Sequence, residues 1–269
     1  MEGRVTGGPG SAGSGRIYIW NGGSLLIGRS GRATDVHAHH AVQIALTSGP
    51  TIRFRSQSGD WRDYRGVIIT PDYPHAFDGL NETVAHVFVE PESREGRAMM
   101  ERLGMSGIVA IEPRDSGAAI PDLFAAWAST RDEGRMIAAG QAAITHFAGG
   151  VEPAAPVDDR VTRALTYIKG RIGRAITLEQ VAAEVNLSPS RFRHLFVEET
   201  GMALRPYILW LRFQKAWALI SEGQNLTAAA HGAGFADSAH LSRTSRRMFG
   251  IPPVALQVEN KGPLRAQDL

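Results

Sequence analysis

Two runs of polar and basic side chains near the C-terminus carry the residue types that hydrogen-bond to nucleic-acid bases and phosphates. The first is Ser190, Arg191, Arg193 and His194; the second is Ser238, His240, Arg243, Arg246 and Arg247. Arginine presents a planar fork of donors that matches guanine O6 and N7, serine and histidine add shorter-reach donors, and basic side chains further along a helix neutralise phosphates. Such chemistry needs a rigid element that presents these groups together.

The flanking residues supply that element twice. Thr177 followed three residues later by Gln180 is a capping box, and Leu178, Val181, Ala182 and Val185 then recur at helical spacing, so a helix is predicted to start at Leu178. Ser188 before Pro189 places a hydroxyl at an N-cap and a proline at the first helical position. Phe192, Leu195 and Phe196 then fall on one face, which leaves Ser190, Arg191, Arg193 and His194 outward. In the second copy Leu226 opens the first helix, Gly234 marks the turn, Asp237 or Ser238 caps the second helix, and Leu241, Met248 and Phe249 form its buried side. Between the copies, the Gly-free apolar stretch 206–220 is predicted to be one long helix that sets the distance between them. Short helix, tight turn and second helix is the layout of a helix-turn-helix that reads DNA.

These residues resemble the AraC/XylS transcription regulators. The resemblance rests on Leu187-Ser-Pro-Ser-Arg-Phe with Leu195-Phe196, then Gly201, Tyr207, Leu211-Arg212 and Ala216. In the second unit it rests on Ala230, Gly234-Phe235, Asp237-Ser238, His240-Leu-Ser-Arg243, Arg246-Arg247, Phe249-Gly250 and Pro252-Pro253. It implies an all-α domain with two helix-turn-helix units whose reading helices enter successive major grooves ~34 Å apart, with Arg246 and Arg247 as phosphate anchors. It also implies double-stranded promoter or operator DNA as partner, a homodimer, and contact with RNA polymerase if the protein activates. Two departures, Ser245 where the family has a buried Phe and Ala229 where it prefers Ile, imply a looser second unit.

The 269 residues are enough for two domains, each with its own core. No apolar run approaches the ~20 residues of a membrane span, no signal-peptide pattern is present, and a cytoplasmic location is expected. Zero cysteines exclude disulfides, thiolate catalysis and thiolate metal sites. The net charge of +2 divides unevenly: residues 1–157 hold 14 Lys and Arg against 17 Asp and Glu, whereas residues 158–269 hold 15 against 10. The basic excess lies with the helix pairs, as phosphate neutralisation requires.

Taken in order, residues 1–15 are Gly/Ser-rich and predicted to be disordered. Residues 16–149 form an expected sensor and dimerisation domain, with strands at 17–20, 25–27, 42–46, 51–55, 66–69 and 83–89, followed by helices around 121–127 and 137–147 that pack internally or pair two copies. Residues 150–157 read as a linker, 158–257 as the DNA-binding domain with Asp158 or Asp159 capping its first helix, and 258–269 as a tail. The fold class expected is α+β in two domains. Trp127, Trp210 and Trp217, at helical spacing among Ala, Leu and Ile, are read as core.

The strand region holds a second chemical cluster. His37-Ala-His39-His40-Ala-Val-Gln43, followed by Gly66, Pro71 and His75, resembles the two motifs of a cupin barrel. The resemblance implies a β-barrel in which two His, a Glu and a later His hold a divalent metal; here Gln43 stands in the Glu position and brings no charge. Three readings follow. The histidines line a pocket; or His37, His39 and His75 bind a divalent metal with His40 or His86 as a fourth ligand; or the barrel holds an organic effector against Trp20, Trp61 or Tyr73. Arg53 and Arg55 share a strand face that suits either solvent or an anion. Overall the expectation is an effector-sensing DNA-binding regulator and not an enzyme, with a dioxygenase-like metal cupin fused to a DNA-binding domain as the alternative.

Overall fold

The structure is a computed structural model that describes residues 13–104, 107–112, 115, 117–130, 132–149 and 157–258. Its first half is rich in strands: β1 (Gly13–Trp20), β2 (Gly23–Ser30), β3 (Val42–Thr47), β4 (Ile52–Ser56), β5 (Arg62–Tyr64), β6 (Gly66–Ile69), β7 (His75–Asp78) and β8 (Thr83–Val89). Then follow α1 (Arg94–Leu103), β9 (Ile108–Ala110), α2 (Ala119–Ser129) and α3 (Glu133–Ala148). The expected closed barrel is not formed. Closure needs one continuous ladder, whereas β4, β5 and β7 pair only among themselves, apart from a seven-stranded sheet in the order β10-β1-β2-β8-β3-β6-β9.

The two sheets pack on each other through Ala45, Val67, Ile69 and Val84 from the larger one and Ile52, Phe54 and Phe77 from the smaller. The other face of the large sheet, with Tyr18, Leu25, Ile44 and Val87, is covered by Met99, Leu123, Trp127, Met136, Ile144 and Phe147 of the three helices. Strand β3 is buried at every position because it is covered on both sides. The same packing places the apolar faces of α2 and α3 inside the domain.

The second half is α4 (Asp159–Lys169), α5 (Leu178–Glu184), α6 (Pro189–Thr200), α7 (Leu204–Ser221), α8 (Leu226–Gly232) and α9 (Ser238–Phe249), then a 3-10 turn at Pro253–Ala255 and β10 (Leu256–Val258). Its local signals act as their chemistry requires. Asp158 caps α4, the Thr177–Gln180 box caps α5, Ser188 accepts from Arg191 N–H ahead of Pro189, and Asp237 caps α9. Gly234 turns the chain at φ +86. Helix α7 buries Tyr207, Trp210, Leu211, Phe213, Ala216 and Trp217, which tie α4–α6 to α8–α9 in one core.

Two boundaries read from the sequence are corrected. Gly13–Gly15, expected in the disordered segment, begin β1. Gly15 lies opposite Gly28, where a Cβ would meet Ile27 O at 2.4 Å, so the absence of side chains lets the strands approach. The tail does not start free of the fold either: Leu256–Val258 pair in parallel with Gly13–Gly15, joining the chain's C-terminal part to the first half's sheet. The predicted linker lies outside the described residues except for Val157, as do 1–12 and 259–269.

Ser245 is 0% exposed, and its hydroxyl donates to Ile251 O at 2.6 Å, so a hydrogen bond ties α9 to the segment after it. Ser245→Ala is therefore expected to lower stability by about 1 kcal/mol in urea unfolding, because the buried Ile251 carbonyl loses its donor. A change below a few tenths would show that this bond contributes nothing.

Candidate functional site

On α6, Phe192 and Phe196 are fully buried, and Phe196 meets the Tyr207 ring edge-on at 5.3 Å. That anchor sets the helix rotation and leaves Ser190, Arg191, Arg193 and His194 exposed. On α9, Leu241 and Met248 are inward, Arg243 and Arg246 are exposed, and Ser238 and His240 are half-buried. The His240 ring stands edge-on to Phe235 at 5.1 Å, which orients it at the start of the helix. Arg247 is exposed but elsewhere: it lines the cleft between the two halves with His37, His39, Asp72 and Trp210, and its carbonyl accepts from Ala38 N–H at 3.3 Å.

The histidines divide into two groups. His37, His39 and His75 converge, each offering a ring nitrogen within 4.8 Å of the others, and all three are buried. Their backbones hold them there, since His37 and His75 exchange N–H···O bonds of 2.9 Å. Each Nδ1 faces a carbonyl: Asp35 at 2.8 Å, Ala41 at 3.1 Å and Tyr73 at 2.8 Å. Burial lowers all three below the usual imidazole range, His37 to about 3, with the neighbouring imidazoles adding to the shift at His37 and His75.

Gln43 bridges this group to His86, with its amide 2.8 Å from His39 Nε2 and 2.7 Å from His86 Nδ1. His86 is fully enclosed, and burial lowers it to about 3. His40, a suggested fourth ligand, turns the other way. Its nitrogens lie 3.3 Å from Glu92 and 3.6 Å from Asp72, and although burial opposes charge, these two carboxylates raise His40 to about 9. Tyr207 of α7 donates a short hydrogen bond to Glu92. With Lys169–Glu90 at 2.9 Å and Arg97–Glu199 at 3.2 Å, this cluster fastens the first half to α4, α6 and α7. No spacing rule in the sequence announces these pairs, which join residues up to 115 positions apart.

A small cavity of about 80 Å³ adjoins the histidines, with Leu26, Val84 and Phe88 from the sheets, His37, Gln43 and His86 as polar groups, and Phe249, Ile251 and Leu256 from the second half. The aromatics proposed for an effector are not in its wall. Trp61 is exposed beneath Arg53 and Arg55, and Arg53 is paired with Asp78 at 2.7 Å, so those arginines serve the surface.

Fold and exposed helices together define a DNA-binding domain of the helix-turn-helix class, and residues 181–257 match the family model described as a helix-turn-helix domain. Over about 100 residues that include this domain, the chain is similar to AraC-type transcription regulators. It is 30% identical over 100 residues to the arabinose operon regulatory protein of Escherichia coli K12, covering 36% of this chain and 34% of that one. It is also 30% identical over 103 residues to the HTH-type transcriptional activator RhaS of Klebsiella pneumoniae 342, covering 38% and 37%. The chain thus matches about a third of the length of these curated relatives. The crystal structure of ToxT from Vibrio cholerae O395 shares the fold over 88% of this chain and 94% of that one, with a TM-score of 0.55 at 12% identity. ToxT has also been solved bound to (E)-4-(8-methylnaphthalen-1-yl)but-3-enoic acid, with a TM-score of 0.55, 11% identity, and 87% and 97% of the two chains covered. No described helix is long and apolar enough to cross a membrane.

Proposed function

We propose that this chain is a sequence-specific DNA-binding transcription regulator with two helix-turn-helix units, α5–α6 and α8–α9, spaced by α7. The observation that carries the reading is the repeated arrangement of a capped helix with a buried aromatic or aliphatic face and an exposed basic one. In this reading Ser190, Arg191, Arg193 and His194 meet one major groove, and Ser238, His240 and Arg243 the next, while Arg246 contacts phosphate. Arg247, beside the first half, is left to steady the junction. The cupin-like first half senses a small effector at the wall it shares with the second unit, and effector binding changes DNA occupancy through the position of that unit. The protein acts as a cytoplasmic homodimer, and an activator of this kind contacts RNA polymerase.

The test is selection of preferred duplexes from a random pool, followed by affinity measurements on variants. Arg191→Ala and Arg243→Ala are each expected to lose roughly 1–3 kcal/mol on the selected site and to relax preference at one base position. Arg246→Ala should weaken all sequences about equally and reduce the slope of affinity against salt by about one. A pool that enriches no sequence would sink the regulator reading; equal behaviour of the three variants would sink the division into readers and anchor.

A further inference from the structure

We infer that His37, His39 and His75 form a three-imidazole site for a divalent transition-metal ion, and that the last turn of α9 is docked on that site, so that the ion sets the position of the second helix-turn-helix unit. The second half of this statement rests on the regulator reading above; the first does not.

The donor set fits a metal by its own geometry. A histidine whose Nδ1–H is given to a backbone carbonyl has its tautomer fixed and its Nε2 lone pair free, which is how metal-ligating imidazoles are held. All three rings have such a carbonyl at 2.8–3.1 Å. His75 Nε2 is buried with no hydrogen-bond partner, a costly state that a metal bond removes. His39 Nε2 faces Gln43 Oε1 at 2.8 Å, so it binds an ion only when that amide withdraws and the ring proton sits on Nδ1 toward Ala41 O. A tetrahedral ion with Zn–N bonds of ~2.1 Å holds its nitrogens roughly 3.4 Å apart, so modest ring rotations close the cluster. Three neutral nitrogens with no thiolate and no carboxylate favour Zn²⁺, Co²⁺ or Ni²⁺ over Ca²⁺ or Mg²⁺. The cleft lined by His37, His39 and Trp210 gives the ion a path and leaves room for a water as fourth ligand.

The coupling lies in what touches the triad from the other half. Asp35 N–H donates to Gly250 O at 3.0 Å and Ala38 N–H to Arg247 O, so the backbone on both sides of His37 is bonded to the end of α9. The Phe249 ring lies 5.6 Å from His39 and nearly parallel to His37. Gly250, at φ +69, fits so closely that a Cβ there would meet Asp35 O at 2.3 Å and His37 Nδ1 at 2.7 Å. A shift of His37 toward an ion therefore pulls on the helix that carries Arg243.

The experiment uses the full chain without a His tag, stripped with chelator and titrated with Co²⁺, with the visible d–d bands as readout. Affinity for the selected duplex is then measured with and without Zn²⁺. Expected are one Co²⁺ per chain with the intense bands of four-coordinate cobalt, a roughly 10–100-fold or greater loss of Co²⁺ affinity in His37→Gln and in His75→Gln, and a Zn²⁺-dependent change in DNA affinity that both variants lose. Phe249→Ala, which leaves the carbonyl partners of all three Nδ1 atoms in place but loosens the end of α9 from the first half, should keep the cobalt bands and lose the Zn²⁺ effect on DNA. Absence of stoichiometric cobalt, or bands unchanged in both histidine variants, overturns the metal site. Bands with no Zn²⁺ effect on DNA overturn the coupling. A chain that binds cobalt but no DNA counts against the regulator reading and leaves the metal site standing.

Discussion

Glu92→Gln is expected to destabilise the protein by roughly 3–5 kcal/mol, because it removes one partner of a buried charge and leaves the other in place. His40 is 3% exposed and Glu92 7%, so neither has water to fall back on. Glutamine can still accept from Tyr207, but it no longer offsets the imidazolium, and His40 must lose its proton or remain buried beside the distant Asp72 alone. Tyr207→Phe removes only the hydroxyl and should cost about 1–2 kcal/mol. Urea unfolding followed by circular dichroism gives both values, with the midpoint moving and the slope constant if the native state is otherwise retained. A Glu92→Gln cost within ±0.5 kcal/mol, the range of ordinary surface substitutions, would mean that this cluster does not hold the halves together.

The second large effect belongs to Phe249. Its ring stacks on Trp210 at 6.2 Å and Phe213 at 4.9 Å within the helical half, and meets Phe88 of β8 at 5.2 Å across the junction. Phe249→Ala empties a space walled by both halves, at an expected cost of about 3 kcal/mol, because aromatic truncation loses area and leaves a cavity. The loss should be local in its consequences. Amide exchange is expected to quicken in α9, whose last turn is held to the first half by this ring and by the Arg247 and Gly250 carbonyls, while α5 and α6 keep their protection. Uniform quickening across all helices would show that Phe249 supports the domain as a whole and not the junction.

Local signals carried most of the helical half. A capping box, a Ser-Pro start, a glycine turn and apolar residues at helical spacing act within a few positions of one another, so α5, α6, α8 and α9 and the outward faces of Arg191, Arg193 and Arg243 were readable from the order of residues alone. Alternating apolar strands were readable for the same reason. What the strands do with one another was not: whether β4, β5 and β7 join the large sheet or stand apart depends on ladders between distant segments, and the expected barrel opened into two sheets. Three histidines spaced as 37, 39 and 75 indicated a cluster, but their type could not say that His40 would turn to Glu92 and Tyr207 while Gln43 tied His39 to His86. Nor could it show Phe249 and Gly250 pressed against them. The contacts of Tyr207, Phe249 and Gly250 with the first half join residues more than a hundred positions apart, and only the docking of one half on the other brings them within reach.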